Sequence, residues 1–388
     1  MSREASRIQA DSRGGVGDPA LQCRGAPQAR PPYNLAWARS FVWLADIFPS
    51  ASHDAPLHPS FLPVMKKIGI LFGRERSFPH ALIERINAAG EPGVSAEPVA
   101  INRVAQGEPT GYAVILDRIS QDVPFYRAYL KNAALNGTAV LNNPFWQSAD
   151  EKFFNNSLAV KLGVAVPNTV ILPSKDQPEN CSAESFSNLA YPLDWDAIFA
   201  YVGWPAYFKP QAGSSWKNVY RVGDAEEFYR AYAATGSRVM MLQSEVRFDD
   251  YYRCYCVDGT AVRIMPYAPR NEYHQRYVTR HPPAAPELLA RMQRDVLALN
   301  QALGYDFNTV EFGVCGGVPY AIDFCNPAPD ADPNSVGEEN FAWVVEAAAR
   351  MLIGKARSHR EGQSNLTWGR YVQAAAAGLA VNAPARKK

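Results

Sequence analysis

"DFNTVEFGVCGGVPYAIDFCNPAPDAD", residues 306 to 332, holds two alternating apolar runs on either side of Cys315-Gly316-Gly317. Alternation with period two, broken by paired glycines, predicts a β-hairpin. If the turn uses three residues, Glu311 in the first strand and Asp323 in the second fall on one sheet face as near-diagonal neighbours. Carboxylates so placed repel unless a cation lies between them. With the amide oxygen of Asn326 they form a set of hard oxygen donors suited to Mg²⁺ bridging substrate phosphates.

Upstream, "FKPQAGSSWKNVYRV" (208 to 222) reads as strand, loop, strand. Gly213 allows close backbone approach, Ser214 and Ser215 bring hydroxyl donors, and Lys209 supplies charge at the strand end. The GxxxxGK[ST] pattern is missing and no helix follows, so this is not a Walker loop. On its own the stretch fits an ordinary hairpin as well as a phosphate cradle. "PFWQSADEKFFNNSLAVKLG" (144 to 163) predicts a helix over 149 to 162, with Ser148 and Glu151 as a capping box and Gly163 as its stop. Lys152 in its first turn opposes the helix dipole, which a neighbouring phosphate would offset. Between these segments, 174 to 197 reads as a polar insertion leading into a helix, and "RVMMLQSEVRFDDYYRCYCVDG" (238 to 259) as two strands joined by a polar, acidic stretch.

The beginning of the chain differs. Residues 1 to 64 are rich in Arg, Gly, Pro and Ser without apolar periodicity, and are expected to be disordered. The apolar stretch near residues 35 to 48 carries Arg39 and Asp46 and is too short to span a bilayer, so neither an export signal nor a membrane segment is expected. From Met65, "MKKIGILFG" and "YAVILDRI" are strand-like runs separated by the helical "FPHALIERINAAG", a small βαβ domain reaching about residue 145. Gly69 and Gly73 lack the GxGxxG spacing of a dinucleotide loop. The predicted divisions are therefore 65–145, 146–240, 241–354, and a helix with a basic tail over 355–388. A 388-residue chain with 47% hydrophobic residues can bury two or three such cores.

Basic and acidic residues nearly cancel, to a net charge of +1, which leaves no electrostatic footprint for nucleic acid. The six cysteines show no CxxC spacing, and Cys254 and Cys256 share one face of a strand. They are read as free thiols of a cytoplasmic protein, with no zinc site.

The order of these features resembles the ATP-grasp superfamily: a lysine at a helix start, a lysine before a Gly/Ser loop, a strand ending in "MLQSEV", an acid soon after, and acids with Asn on a hairpin. "NNPFWQSADEKFF", "FKPQAGSSWKNVYRV" and the opening hairpin are similar to the glutathione synthetase and ribosomal-protein glutamate ligase branch, over roughly Met65 to Gly354. The resemblance implies an α/β (α+β) fold: an N-terminal βαβ pre-ATP-grasp domain and two α+β lobes clasping ATP. It implies that Lys152 and Lys209 contact the phosphates and adenine, with Gly213, Ser214 and Ser215 closing over the phosphates. Gln243, Ser244, Glu245 and Val246 would read adenine, Asp250 would hold the ribose, and Glu311, Asp323 and Asn326 would ligate a pair of Mg²⁺ ions. The implied chemistry is carboxylate–amine ligation through an acylphosphate, on a small-molecule or peptide carboxylate. Arg253 and Arg263 would pin that carboxylate or stabilise the oxyanion, and a homodimer is the implied assembly. A degenerate ATP binder and a small-molecule kinase share the same nucleotide residues. Three departures stand out: Gln243 replaces the usual acid, Trp216 and Lys217 occupy the loop, and Cys325 stands where the pattern acid-x-Asn puts an amide. Either Asn326 or Cys325 could then face the metal.

Overall fold

A computed structural model describes residues 65–145, 151–212 and 218–360. The arm 1 to 64, Ser148, the loop residues Gly213, Ser214, Ser215, Trp216 and Lys217, and the tail from 361 lie outside them.

The first sheet is parallel, in the order β2-β1-β3-β4. Its strands are β1 (Lys66–Leu71), β2 (Val94–Pro98), β3 (Val114–Asp117) and β4 (Ala139–Leu141). Helices α1 (Ser77–Ala88) and α2 (Pro124–Leu135) cover its two faces. Burial on both sides explains why β1 and β3 read as continuous apolar runs. β2, with the mixed sequence VSAEP, has no such run, and the expected strand–helix–strand unit omits it.

The second sheet, β5-β8-β6-β7, is antiparallel. It joins β5 (Thr169–Leu172), β6 (Ala206–Pro210), β7 (Tyr220–Val222) and β8 (Met240–Ser244). One face is closed by α4 (Trp195–Val202) and α5 (Ala225–Ala233), whose Trp195, Phe199 and Phe228 rings pack on Phe208 and Leu242. Helix α3 precedes the sheet and spans Lys152–Lys161, shorter than the expected 149 to 162. Glu151 is its N-cap, without a side-chain cap bond, so the capping box does not form with Glu151 as its third helical residue.

The third sheet, β10-β9-β11-β12, is also antiparallel. Its strands are β9 (Asp250–Val257), β10 (Ala261–Pro266), β11 (Phe307–Cys315) and β12 (Val318–Asp323). Helix α6 (Pro286–Leu303) covers the face carrying Cys254, Cys256 and Phe312. The short α7 (Pro333–Val336) leads into α8 (Glu338–Ser358), which packs against the first sheet, so Lys355 lies within the last turn of a long helix rather than at a boundary.

The hairpin turn is tighter than expected. Cys315 pairs with Val318, leaving only Gly316 and Gly317 in the turn, both with positive φ (56° and 77°). A two-residue turn alone would set Glu311 opposite Ile322. The register shifts between Glu311 and Phe312, and Asp323 becomes the direct partner of Glu311. The bulge therefore restores the same-face placement of the two acids by a different route, as opposed rather than diagonal neighbours.

Gly317→Ala places a side chain in the left-handed region and is expected to cost about 1–2 kcal/mol, read as a lower urea midpoint with an unchanged slope.

Candidate active site

Tyr207 and Lys209 point to the face of the second sheet opposite its aromatic core. Gln243 on β8 lies between Thr169 and Tyr207 in register. Lys209 Nζ donates to Gln243 Oε1 at 2.8 Å, and Gln243 Nε2 donates to Thr169 Oγ1 at 2.8 Å. Gln243 is buried, so the residue that departs from the resemblance's acid serves as the neutral acceptor of the lysine. Burial pushes the Lys209 ammonium pKa down to about 8; the charge of Lys152 adds to this and Asp323 opposes it. The same relation brings together three elements, since Lys152 comes from α3, Lys209 from β6 and Asp323 from β12.

The segment after β8 is tied down. Ser244 donates its N–H to Asn168 O (2.9 Å) and its hydroxyl to Val202 O (2.7 Å). Glu245 donates its N–H to Pro205 O, and its carboxylate accepts two bonds from Arg221 at 2.8 and 2.9 Å, which hold its pKa below the usual range. Val246 follows in the irregular stretch before β9. Asp250 opens β9, where its carboxylate accepts from Tyr252 Oη at 2.6 Å and stands 2.8 Å from His281 Nε2.

On the third sheet, Glu311 has Tyr251 Oη at 2.7 Å and Arg253 Nε at 3.5 Å. Burial raises its carboxyl pKa; Arg253 opposes the shift and the facing Asp323 adds to it. Arg263 is committed elsewhere, to Asn340 at 2.7 Å and Glu339 at 2.6 Å at the start of α8. Beyond β12, Asn308 at 0% exposure donates to Phe324 O and accepts the Asn326 N–H at 2.7 Å, which fixes the strand exit. The Cys325 thiol takes an amide bond from Asn155 on α3 at 3.1 Å. Among the described residues no three His, Cys, Asp or Glu side chains cluster as metal ligands. Two opposed carboxylates nonetheless fit a hard cation whose remaining ligands come from phosphates and water.

A strap from Tyr267 to Ala285 joins β10 to α6. The Tyr267–Tyr277 bridge folds it back on itself, and it anchors through Tyr273 to Asp330 (2.8 Å) and His281 to Asp250. Arg276 acts electrostatically on Glu311, and Arg270 on Tyr207 of the second sheet. Charges on the strap thus lie within electrostatic range of both antiparallel sheets.

No protein-family profile and no curated relative matches the chain. Solved structures do. A RimK-domain ATP-grasp protein from Sphaerobacter thermophilus is 18% identical, with a TM-score of 0.53, 74% of this chain and 100% of that one covered. The VanG D-Ala:D-Ser ligase of Enterococcus faecalis is 12% identical (TM-score 0.51, 75% and 99% covered). The ATP-grasp ligase PsnB, bound to a minimal precursor, is 14% identical (TM-score 0.50, 75% and 99% covered). The chain has the ATP-grasp fold.

If Lys209 meets nucleotide phosphate, ATP affinity is expected to fall about tenfold between pH 7 and pH 9, as the ammonium titrates near pH 8. Calorimetric titration of wild type and Lys209→Met checks this, the variant binding more weakly and without that pH dependence.

Proposed function

We propose that this chain is an ATP- and Mg²⁺-dependent carboxylate–amine ligase. The observation that carries the reading is the buried Lys209 within electrostatic range of Lys152 and Asp323, from three elements of an ATP-grasp fold, with Glu311 paired to Asp323 across the hairpin and Arg253 beside Glu311. Lys152 and Lys209 hold the phosphates, with Gly213, Ser214 and Ser215 completing the cradle. Gln243 through Val246 face the base, and Asp250 takes the ribose in exchange for its present partners. Glu311, Asp323 and Asn326 would hold Mg²⁺, which neutralises phosphate charge when bound.

A substrate carboxylate oxygen attacks the γ-phosphorus, the bond to the β–γ bridging oxygen breaks, and ADP leaves. The acylphosphate is then attacked by an amine, which loses a proton as inorganic phosphate departs and the amide forms. This chain's residues supply position and charge. Lys209 and Lys152 offset the transferring phosphoryl group, and Arg253 holds the carboxylate for in-line attack. The substrate is a small-molecule or peptide carboxylate, and the protein is read as cytoplasmic. No helix of the described residues is long and apolar enough to cross a membrane.

ADP release is to be measured with ATP and Mg²⁺ across paired carboxylates and amines. Turnover requiring both, with free phosphate as product, and a loss of at least about 100-fold in Lys209→Ala and Asp323→Asn, is the expected result. A stable phosphorylated product would make it a kinase. Tight ATP binding with no turnover for any pair would favour a nucleotide-binding role.

A further inference from the structure

Arg253 is 8% exposed, yet its polar contacts are all long: 3.5 Å to Glu311 Oε1, 3.4 Å to Tyr267 Oη and 3.5 Å to Thr309 Oγ1. Its Nε has no hydrogen-bond partner among the described residues. A guanidinium carries five N–H donors, and leaving them unmet in a buried setting is costly. Tyr277, also 8% exposed, has a hydroxyl without a partner among the described residues. The two residues lie within electrostatic reach of each other, with the Tyr267 ring 5.3 Å from the Arg253 guanidinium carbon and 5.1 Å from the Tyr277 ring.

Nearby acceptors are already engaged. Glu311 Oε2 accepts from Tyr251, and the Asp330 carboxylate accepts from Tyr273 and Ser335. What is missing is a charged acceptor within hydrogen-bond distance, since Glu311 Oε1 pairs with the guanidinium only at 3.5 Å. We infer that Tyr277 Oη and the Arg253 guanidinium form a clamp for the substrate's carboxylate, which makes Tyr277 a substrate-binding residue and sets the clamp beside Glu311. The inference rests on the ligase reading for the identity of the anion. A monoanion suits the place better than a phosphate dianion, because Glu311 lies 3.5 Å from the same guanidinium. Both donor atoms are covered, so the carboxylate enters as the strap carrying Tyr277 lifts.

The test is thermal melting of the whole chain with Mg²⁺ and a non-hydrolysable ATP analogue. Acetate, benzoate and glutamate are titrated against acetamide, benzamide and inorganic phosphate. Wild type is expected to show a saturable rise in Tm with one or more carboxylates and none with the amides or phosphate. Tyr277→Phe is expected to keep the nucleotide response, to bind the carboxylate about tenfold more weakly, and without ligands to melt at or above wild type, since an unpaired buried hydroxyl is gone. Arg253→Lys is expected to weaken the carboxylate response as well. An unaltered carboxylate response in Tyr277→Phe, an equal response to amides or phosphate, or no carboxylate response in wild type would each overturn the clamp. Loss of the nucleotide response alone would instead count against the ATP site, and the carboxylate titration repeated without nucleotide then judges the clamp by itself.

Discussion

Glu311 and Asp323 face one another across an antiparallel pair, and like charges so placed cost free energy unless positive charge is brought to them. Much of the molecule answers that constraint. The register shift at Phe312 creates the opposition, Arg253 and Tyr251 moderate it from β9, and the charge of Arg276 reaches Glu311 from the strap. Lys209, paired among the described residues with a neutral amide, feels Asp323 from the second sheet. A carboxylate on β8 in place of Gln243 would satisfy the lysine locally. The amide leaves its charge available to other anions.

Buried amides hold these parts in place. Asn142, at the end of the first sheet, accepts the N–H groups of Asp306 and Phe307 and donates to Phe307 O at 2.7 Å, so β11 begins from a fixed point. Arg118, on the same edge, pairs with Glu75 at 2.6 Å and donates to Pro329 O at 2.7 Å. Asn308 fixes the exit of β12. Each such group would be expensive to bury unpaired, so the ties are specific in geometry as well as favourable.

The sequence was most readable where periodicity and chemistry agree. Alternation exposed the hairpin and placed Glu311 and Asp323 on one face, while β1, β3 and the MLQSEV strand stood out as apolar runs. The turn length was not legible, because a Gly-Gly pair next to Cys315 fits two or three residues equally well until cross-strand partners are known. β2 was hidden by the polar composition of VSAEP, which is strand only because β1 offers it a ladder. The roles of Asn142, Asn308 and Tyr277 depend on partners far along the chain, and no local spacing announces them. Asn308, an amide inside an apolar alternation, was the one visible anomaly of that kind. Of the two residues that could face a metal, Cys325 receives an amide bond from Asn155 at its thiol, and Asn326 is held through its backbone N–H by Asn308.

The second sheet keeps its own hydrophobic cluster, in which the rings of Trp195, Phe199, Phe208, Phe228 and Tyr232 pack together, stacked or edge to face, separate from the clusters beneath the other two sheets. Its site face carries the Lys209–Gln243–Thr169 bonds and, beside Lys209, the buried Met241. A hinge-like displacement of this lobe would therefore exchange polar contacts for water while its aromatic cluster stays closed, and the heat-capacity change of such a motion would be small beside that of unfolding. The molecule can breathe along its charged seam while each of its oily cores stays shut.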